Sequence, residues 1–130
     1  MYAHVQLGAR DIRLMSSFYD KVLGELGLVR MTPLEQIGPA GVIWRRANSR
    51  WPQFVIGPPY DGRLPTLANG SQVSFLAPSR AAVDAAHAAA LASCGVDLGQ
   101  PALRPQYAPD FYAAYCRDPE GNKLCFVHTE

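Results

Sequence analysis

Two stretches of the chain alternate polar and apolar residues and then switch to helical spacing. His4-Val5-Gln6-Leu7 alternates strictly, the pattern of a half-buried strand. Beyond Asp11, the residues Ile12, Met15, Phe18, Tyr19, Val22 and Leu23 recur at three- and four-residue steps, which places them on one helical face. The same succession returns as Gln72-Val73-Ser74-Phe75, then Ser79, then Val83, Ala86, His87, Ala90 and Leu91. A shift of 68 residues, laying His4 on Gln72, aligns 25 positions without a gap. Asp11 then falls on Ser79; both side chains can accept a bond from a first-turn N–H and cap a helix. Gly27 falls on Gly95, and a left-handed residue is expected to stop each helix there.

Strand-like runs follow each helix, near 28–33, 42–46 and 53–56 in the first half and near 97–98, 111–117 and 123–127 in the second. Asp118-Pro119-Glu120-Gly121-Asn122 reads as a tight turn before the last strand. Each half therefore predicts a β-α-β-β-β order in an α+β domain. The expected organisation is a single domain over 1–130, with a first βαβββ module at 1–62 and a second at 63–130. Residues 57–70, rich in Pro and Gly, read as the linker, and 101–109 as a loop carrying Arg104 and Tyr107.

Alternate strand residues point to opposite faces. The apolar sets Val5/Leu7, Val73/Phe75 and Leu124/Phe126 are expected to pack on the helices. The opposite faces then form a cupped mixed sheet, helices outside, lined by His4, Gln6, Gln72, Ser74 and Cys125. An enclosed surface with a few convergent polar groups is the usual form of a small-molecule site. The alternative is a polar sheet face open to water.

Composition narrows the classes of partner. The chain has 130 residues, 48% hydrophobic and 18% charged, with net charge +1. No basic or acidic run favours nucleic acid or a membrane surface. No apolar stretch approaches a bilayer span, and the start lacks a signal-like pattern, so a cytoplasmic location is expected. Cys94, Cys116 and Cys125, odd in number and without CxxC spacing, read as three buried free thiols. His87 is expected to pack from its helix onto the sheet, and His128 to be exposed near the terminus.

Three segments in order resemble the vicinal oxygen chelate superfamily, which contains glyoxalase I, extradiol dioxygenases, fosfomycin-modifying enzymes and bleomycin-resistance proteins. The first runs from His4-Val5-Gln6-Leu7 through Asp11 to Ser17-Phe18-Tyr19 and Leu23-Gly24. The second is 69–75, ending in Gln72-Val73-Ser74-Phe75. The third, the most specific, is 115–124, a strand, the Asp118-Pro119-Glu120-Gly121 turn and a strand. The resemblance implies a glyoxalase-like fold. Its metal-dependent members hold one divalent ion through a His in the first strand, a His in the repeated strand and a Glu in the last. Carried over, those positions are His4, Gln72 and Cys125, and a further carboxylate position falls near Val55. Only His4 is retained as a metal candidate, so a divalent metal cofactor is disfavoured.

The resemblance further implies that Tyr115 lines the cup and that a homodimer forms. Arg104, Tyr107 and Tyr112 sit in or beside the loop at 101–109, a position from which a lid would cover the cup. The expected function is a glyoxalase/bleomycin-resistance-like protein binding a small organic molecule in the cup, with the usual metal site degenerate. One alternative is a metal-dependent lyase or dioxygenase using unusual ligands; a second is a non-catalytic interaction or structural domain. Catalytic residues are not assigned.

Overall fold

The computed structural model describes residues 1–38 and 41–130. The elements run β1 (His4–Gly8), α1 (Ile12–Gly24), β2 (Val29–Arg30), a 3-10 turn (Leu34–Gln36), β3 (Val42–Arg45), β4 (Gln53–Gly57), β5 (Val73–Leu76), α2 (Arg80–Ala92), β6 (Val96–Leu103), β7 (Tyr112–Arg117) and β8 (Lys123–His128). The strands form two four-stranded sheets of identical plan, β1-β4-β3-β2 and β5-β8-β7-β6. In each, the first strand pairs in parallel with the last, and the remaining pairs are antiparallel. The sequence repeat is thus a repeat of topology.

The predicted caps form. Asp11 accepts the Leu14 N–H at 3.0 Å, and Ser79 accepts the Ala82 N–H at 3.1 Å. Both helices close with a bond spanning five residues, Leu28 N–H to Leu23 O at 3.0 Å and Gly95 N–H to Ala90 O at 2.8 Å. Such a closure places a left-handed residue just before the donor. In α1 that residue is Gly27 (φ +82°), as expected. In α2 it is Cys94 (φ +71°), not Gly95. The second closure comes one residue earlier than the gapless alignment implies.

Two strand boundaries also differ from the pattern. β2 is only two residues long, because Pro33, which has no N–H, soon ends the pairing. β6 runs on through Pro101 to Leu103. It is an edge strand with register shifts after Asp97 and Gly99, a setting that tolerates a proline.

The core lies between the sheets and the helices. Met15, Phe18, Tyr19, Val22 and Leu23 of α1 are buried, as are Val83, Ala86, His87 and Ala90 of α2. Cross-strand register puts Val5, Phe54 and Trp44 on one face of the first sheet, where Tyr19 packs against Trp44 and Phe54 with ring centroids 5.7 and 4.7 Å away. In the second sheet the corresponding face carries Val73/Leu124 and Phe75/Phe126. Phe54 meets Phe75 at 5.2 Å, so one aromatic row joins the two units into a single core.

The most specific sequence motif proves to be a clamp between the halves. The buried Asp118 carboxylate accepts bonds from the Glu120 and Asn122 N–H groups, from Asn122 Nδ2 at 2.8 Å and from Tyr19 Oη at 2.6 Å. Glu120 reaches the entry of α1, where its carboxylate accepts the Arg10 and Asp11 N–H groups at 2.8 Å each. Those donors have no partner within the helix, and a carboxylate there opposes the positive end of the helix dipole. The turn in the second half thus fixes the first helix.

His87 is buried, its Nε2 3.0 Å from Asp97 Oδ1. His128 departs from expectation: it is half-buried, with Nδ1 3.0 Å from the Ala77 carbonyl. Cys116 and Cys125 are buried, whereas Cys94 is exposed because the helix end it occupies faces solvent. Among the described residues, no helix is long and apolar enough to cross a membrane.

Candidate functional site

The face of the second sheet turned away from α2 carries the candidate site. Across β5, β8 and β7 the register aligns Ser74, Cys125 and Tyr115, while Arg117 and Lys123 pair one step along the same face. The loop after β6 folds over them. Arg104 Nη2 donates to the Gln100 carbonyl at 2.6 Å, and the guanidinium lies over the Tyr115 ring, 5.6 Å from its centroid. Lys123 Nζ lies the same distance from that ring. Phe111 packs against Tyr107 at 5.1 Å.

These groups bound an open cleft of about 660 Å³. Its walls are Gln72 just before β5; Tyr115, Arg117 and Lys123 from β7 and β8; Leu98 and Gly99 from β6; and Arg104, Gln106, Tyr107 and Phe111 from the loop and its end. Glycine at 99 suits the close approach of its neighbours: a β-carbon there would stand 3.1 Å from Arg104 Nη2 and 3.2 Å from Tyr115 Cδ2. Gln72 Nε2 donates to Ser74 Oγ at 2.9 Å.

The cleft phenol and the thiol beside it are held in their neutral forms. Burial pushes the Tyr115 phenol up to about 12, reinforced by Cys125 and only slightly opposed by Arg104. Burial also raises the Cys125 thiol; the nearby Ser74 and Tyr115 hydroxyls and the charges of Lys123 and Arg104 offset part of that rise. The cleft face therefore presents the Tyr115 hydroxyl, the Gln72 amide and the side chains of Arg104, Arg117 and Lys123, with no carboxylate among its lining residues.

Gln72 and Tyr115, two of the residues singled out in the sequence, line the cleft, and Ser74 and Cys125 lie on the same sheet face beside them. His4 and Gln6 are exposed on the corresponding face of the first sheet, next to Gln53 and the buried Val55, and do not line this cleft. Arg104 and Tyr107 cover it, but Tyr112 points to the helix side, its hydroxyl donating to Asp84 of α2 at 2.7 Å. Sequence reasoning did not single out Gly99, Gln106, Phe111, Arg117 or Lys123. Strand parity would have placed Lys123 and Arg117 with Cys125 and Tyr115, each two positions away. Gln106 comes from loop packing, which leaves no periodic signal. A second cavity, about 470 Å³ and mostly apolar, lies among Val5, Trp44, Phe54, Val73, Phe75 and neighbours, where the edge strands β1 and β5 come near one another.

Residues 2–126 match the family described as the Glyoxalase/Bleomycin resistance protein/Dioxygenase superfamily. The chain belongs to that superfamily. A solved glyoxalase/bleomycin resistance protein from Albidiferax ferrireducens T118 is 34% identical, with TM-score 0.82 over 100% of this chain and 99% of that one. A glyoxalase/bleomycin resistance protein/dioxygenase family enzyme from Burkholderia phytofirmans PsJN is 20% identical, with TM-score 0.72 over 98% of each chain. A lactoylglutathione lyase from Agrobacterium tumefaciens is also 20% identical, with TM-score 0.65 over 98% of this chain and 92% of that one. These last two similarities are of fold. No curated protein gives a significant match.

The positions that the resemblance assigns to metal ligands carry His4, Gln72 and Cys125, with Val55 near the fourth. Among the described residues, no group of three or more His, Cys, Asp or Glu side chains is placed to hold a metal ion.

Proposed function

We propose that the protein binds a small organic molecule in the cleft over Tyr115, without the metal centre used by metal-dependent relatives. The observation that carries this reading is the cleft itself. It has room for a ligand of ordinary size, aromatic walls, and polar groups converging from two strands and a loop. The donor set does not fit a divalent ion. A neutral glutamine amide is a weak ligand for these metals, and one histidine with one cysteine sulfur makes a weak site without a carboxylate. Val55 supplies no donor at all. No reaction step is assigned through a metal.

The test is a thermal-shift screen of small organic molecules on the intact chain, with hits mapped by NMR. The reading expects hits whose perturbations centre on Gln72, Gly99 and Tyr115. A screen with no hit at these residues overturns it. Metal analysis of protein purified without chelator is expected to find no stoichiometric divalent ion; such an ion bound through His4 would favour a metal-dependent lyase or dioxygenase instead.

A homodimer is part of the same proposal. β1 and β5 end their sheets with unpaired edges, and Val5, Leu76 and Tyr2 are exposed at the apolar cavity beside them. Unpaired edges beside exposed apolar groups are a template for association. Light scattering is expected to give twice the chain mass, and Leu76→Asp to lower it; a monomer at tens of micromolar would remove this part.

A further inference from the structure

We infer that the ligand of this cleft is an anion, a carboxylate carried on a flat apolar body. The inference rests on the reading of the cleft as a small-molecule site and specifies what that site recognises. Arg104, Arg117 and Lys123 line the cleft, and no aspartate or glutamate does. Among the described residues the ion pairs are Arg30–Asp20, Arg63–Asp61 and His87–Asp97, so none of the three cleft cations has a carboxylate partner.

Their placement is costly without an anion. Arg117 and Lys123 are directly paired across the β7–β8 ladder, on the open face. Like charges opposite one another in a sheet repel. Arg117 relieves this only by donating to the Gly121 carbonyl at 2.8 Å. Arg104 has a second deficit: its Nε is buried and has no acceptor, while Nη2 is held by Gln100. A buried donor without a partner is destabilising, and far more so on a charged group. A ligand carboxylate in the cleft supplies the negative charge that Arg104 and the strand pair lack.

The rest of the cleft describes the body behind that carboxylate. The Tyr115 ring forms the floor beneath Arg104 and Lys123, and the Tyr107/Phe111 pair forms the rim. Aromatic walls favour a flat ring held by stacking and edge contacts. A cationic ligand would be repelled.

The experiment compares 2-naphthoate with 2-naphthamide, two bodies of the same shape that differ in charge. Both are titrated into the 15N-labelled full chain at low ionic strength, following Gly99, Tyr115 and the Arg104 Nε–H. Naphthoate is expected to bind at least about tenfold more tightly than the amide, and to weaken as salt is added. Arg104→Gln should weaken naphthoate by about tenfold and the amide by much less. Lys123→Gln, at an exposed side chain that makes no hydrogen bond, should weaken it by about threefold and keeps the test alive if the Arg104 variant misfolds. Equal affinity for the two probes overturns the anion inference while leaving a small-molecule site intact. Naphthoate binding insensitive to the variants also overturns it. If neither probe perturbs the cleft, the inference falls, and the reading beneath it is judged separately by the library screen.

Discussion

Replacing Tyr19 by phenylalanine removes one oxygen atom from the interior and tests whether the turn at 118–122 holds the two halves together. Tyr19 and Asp118 are almost fully buried, and the hydroxyl donates to Oδ2 at 2.6 Å. Burial and the adjacent carboxylate push the Tyr19 phenol well above its ordinary value, so the proton stays on the phenol. In Tyr19→Phe the carboxylate keeps its bonds from Glu120 N, Asn122 N and Asn122 Nδ2 but loses its only donor from the first half. A hydrogen bond to a charged group contributes about 1.5–3 kcal/mol, and burial argues for the middle or upper part of that range. For a chain of this length, a loss of about 2 kcal/mol lowers the melting temperature by about 7 °C. Urea denaturation should show a lower midpoint with an unchanged slope, because the surface exposed on unfolding is the same. Tyr112→Phe is the internal control. It removes a bond of similar length, 2.7 Å, to Asp84, but at an exposed site, and should cost less than about 0.5 kcal/mol. If the two variants cost the same, or Tyr19→Phe costs less than about 0.5 kcal/mol, the clamp is not what secures the interface.

Cys94→Gly should stabilise the protein by about 1 kcal/mol, since a β-carbon is strained at φ +71°; Cys94→Ala should give no such gain, and calorimetry distinguishes the two. Thiol labelling at pH 8 should modify one cysteine per native chain, Cys94, and three after denaturation, because burial raises the Cys116 thiol to about 12 and raises Cys125 as well. The Gly99 N–H, followed by His87, holds the Asp97 carboxyl below its ordinary 3.8. Its contribution is therefore present above that value and is lost as pH falls through the depressed one. Acid titration of stability should be shallower below about pH 4 in Asp97→Asn than in the wild-type chain.

The sequence determined the units. Periodicity located both helices and most strands, because apolar spacing reports directly which face of an element is buried. The repeat predicted that the halves share one topology, and Asp11 and Ser79 marked the helix starts because capping is a local interaction. Strand parity put Gln72, Ser74 and Cys125 on one face for the same reason. Tertiary structure decided what those units do to one another. The helix stop falls at Cys94, while Gly95 occupies a point where a β-carbon would stand 2.5 Å from the Ala90 carbonyl oxygen and 3.1 Å from that of Arg117 in β7, a long-range contact. The clamp of Asp118 and Glu120 on Tyr19 and the α1 entry joins residues about a hundred positions apart, beyond the reach of any periodic signal. The cleft followed the same rule. Tyr115 and Gln72 had been singled out by their place in the motif, but the pairing of Arg117 with Lys123 depends on register. Arg104 reaches the Tyr115 ring only because the loop after β6 folds over the sheet, which is set by long-range packing.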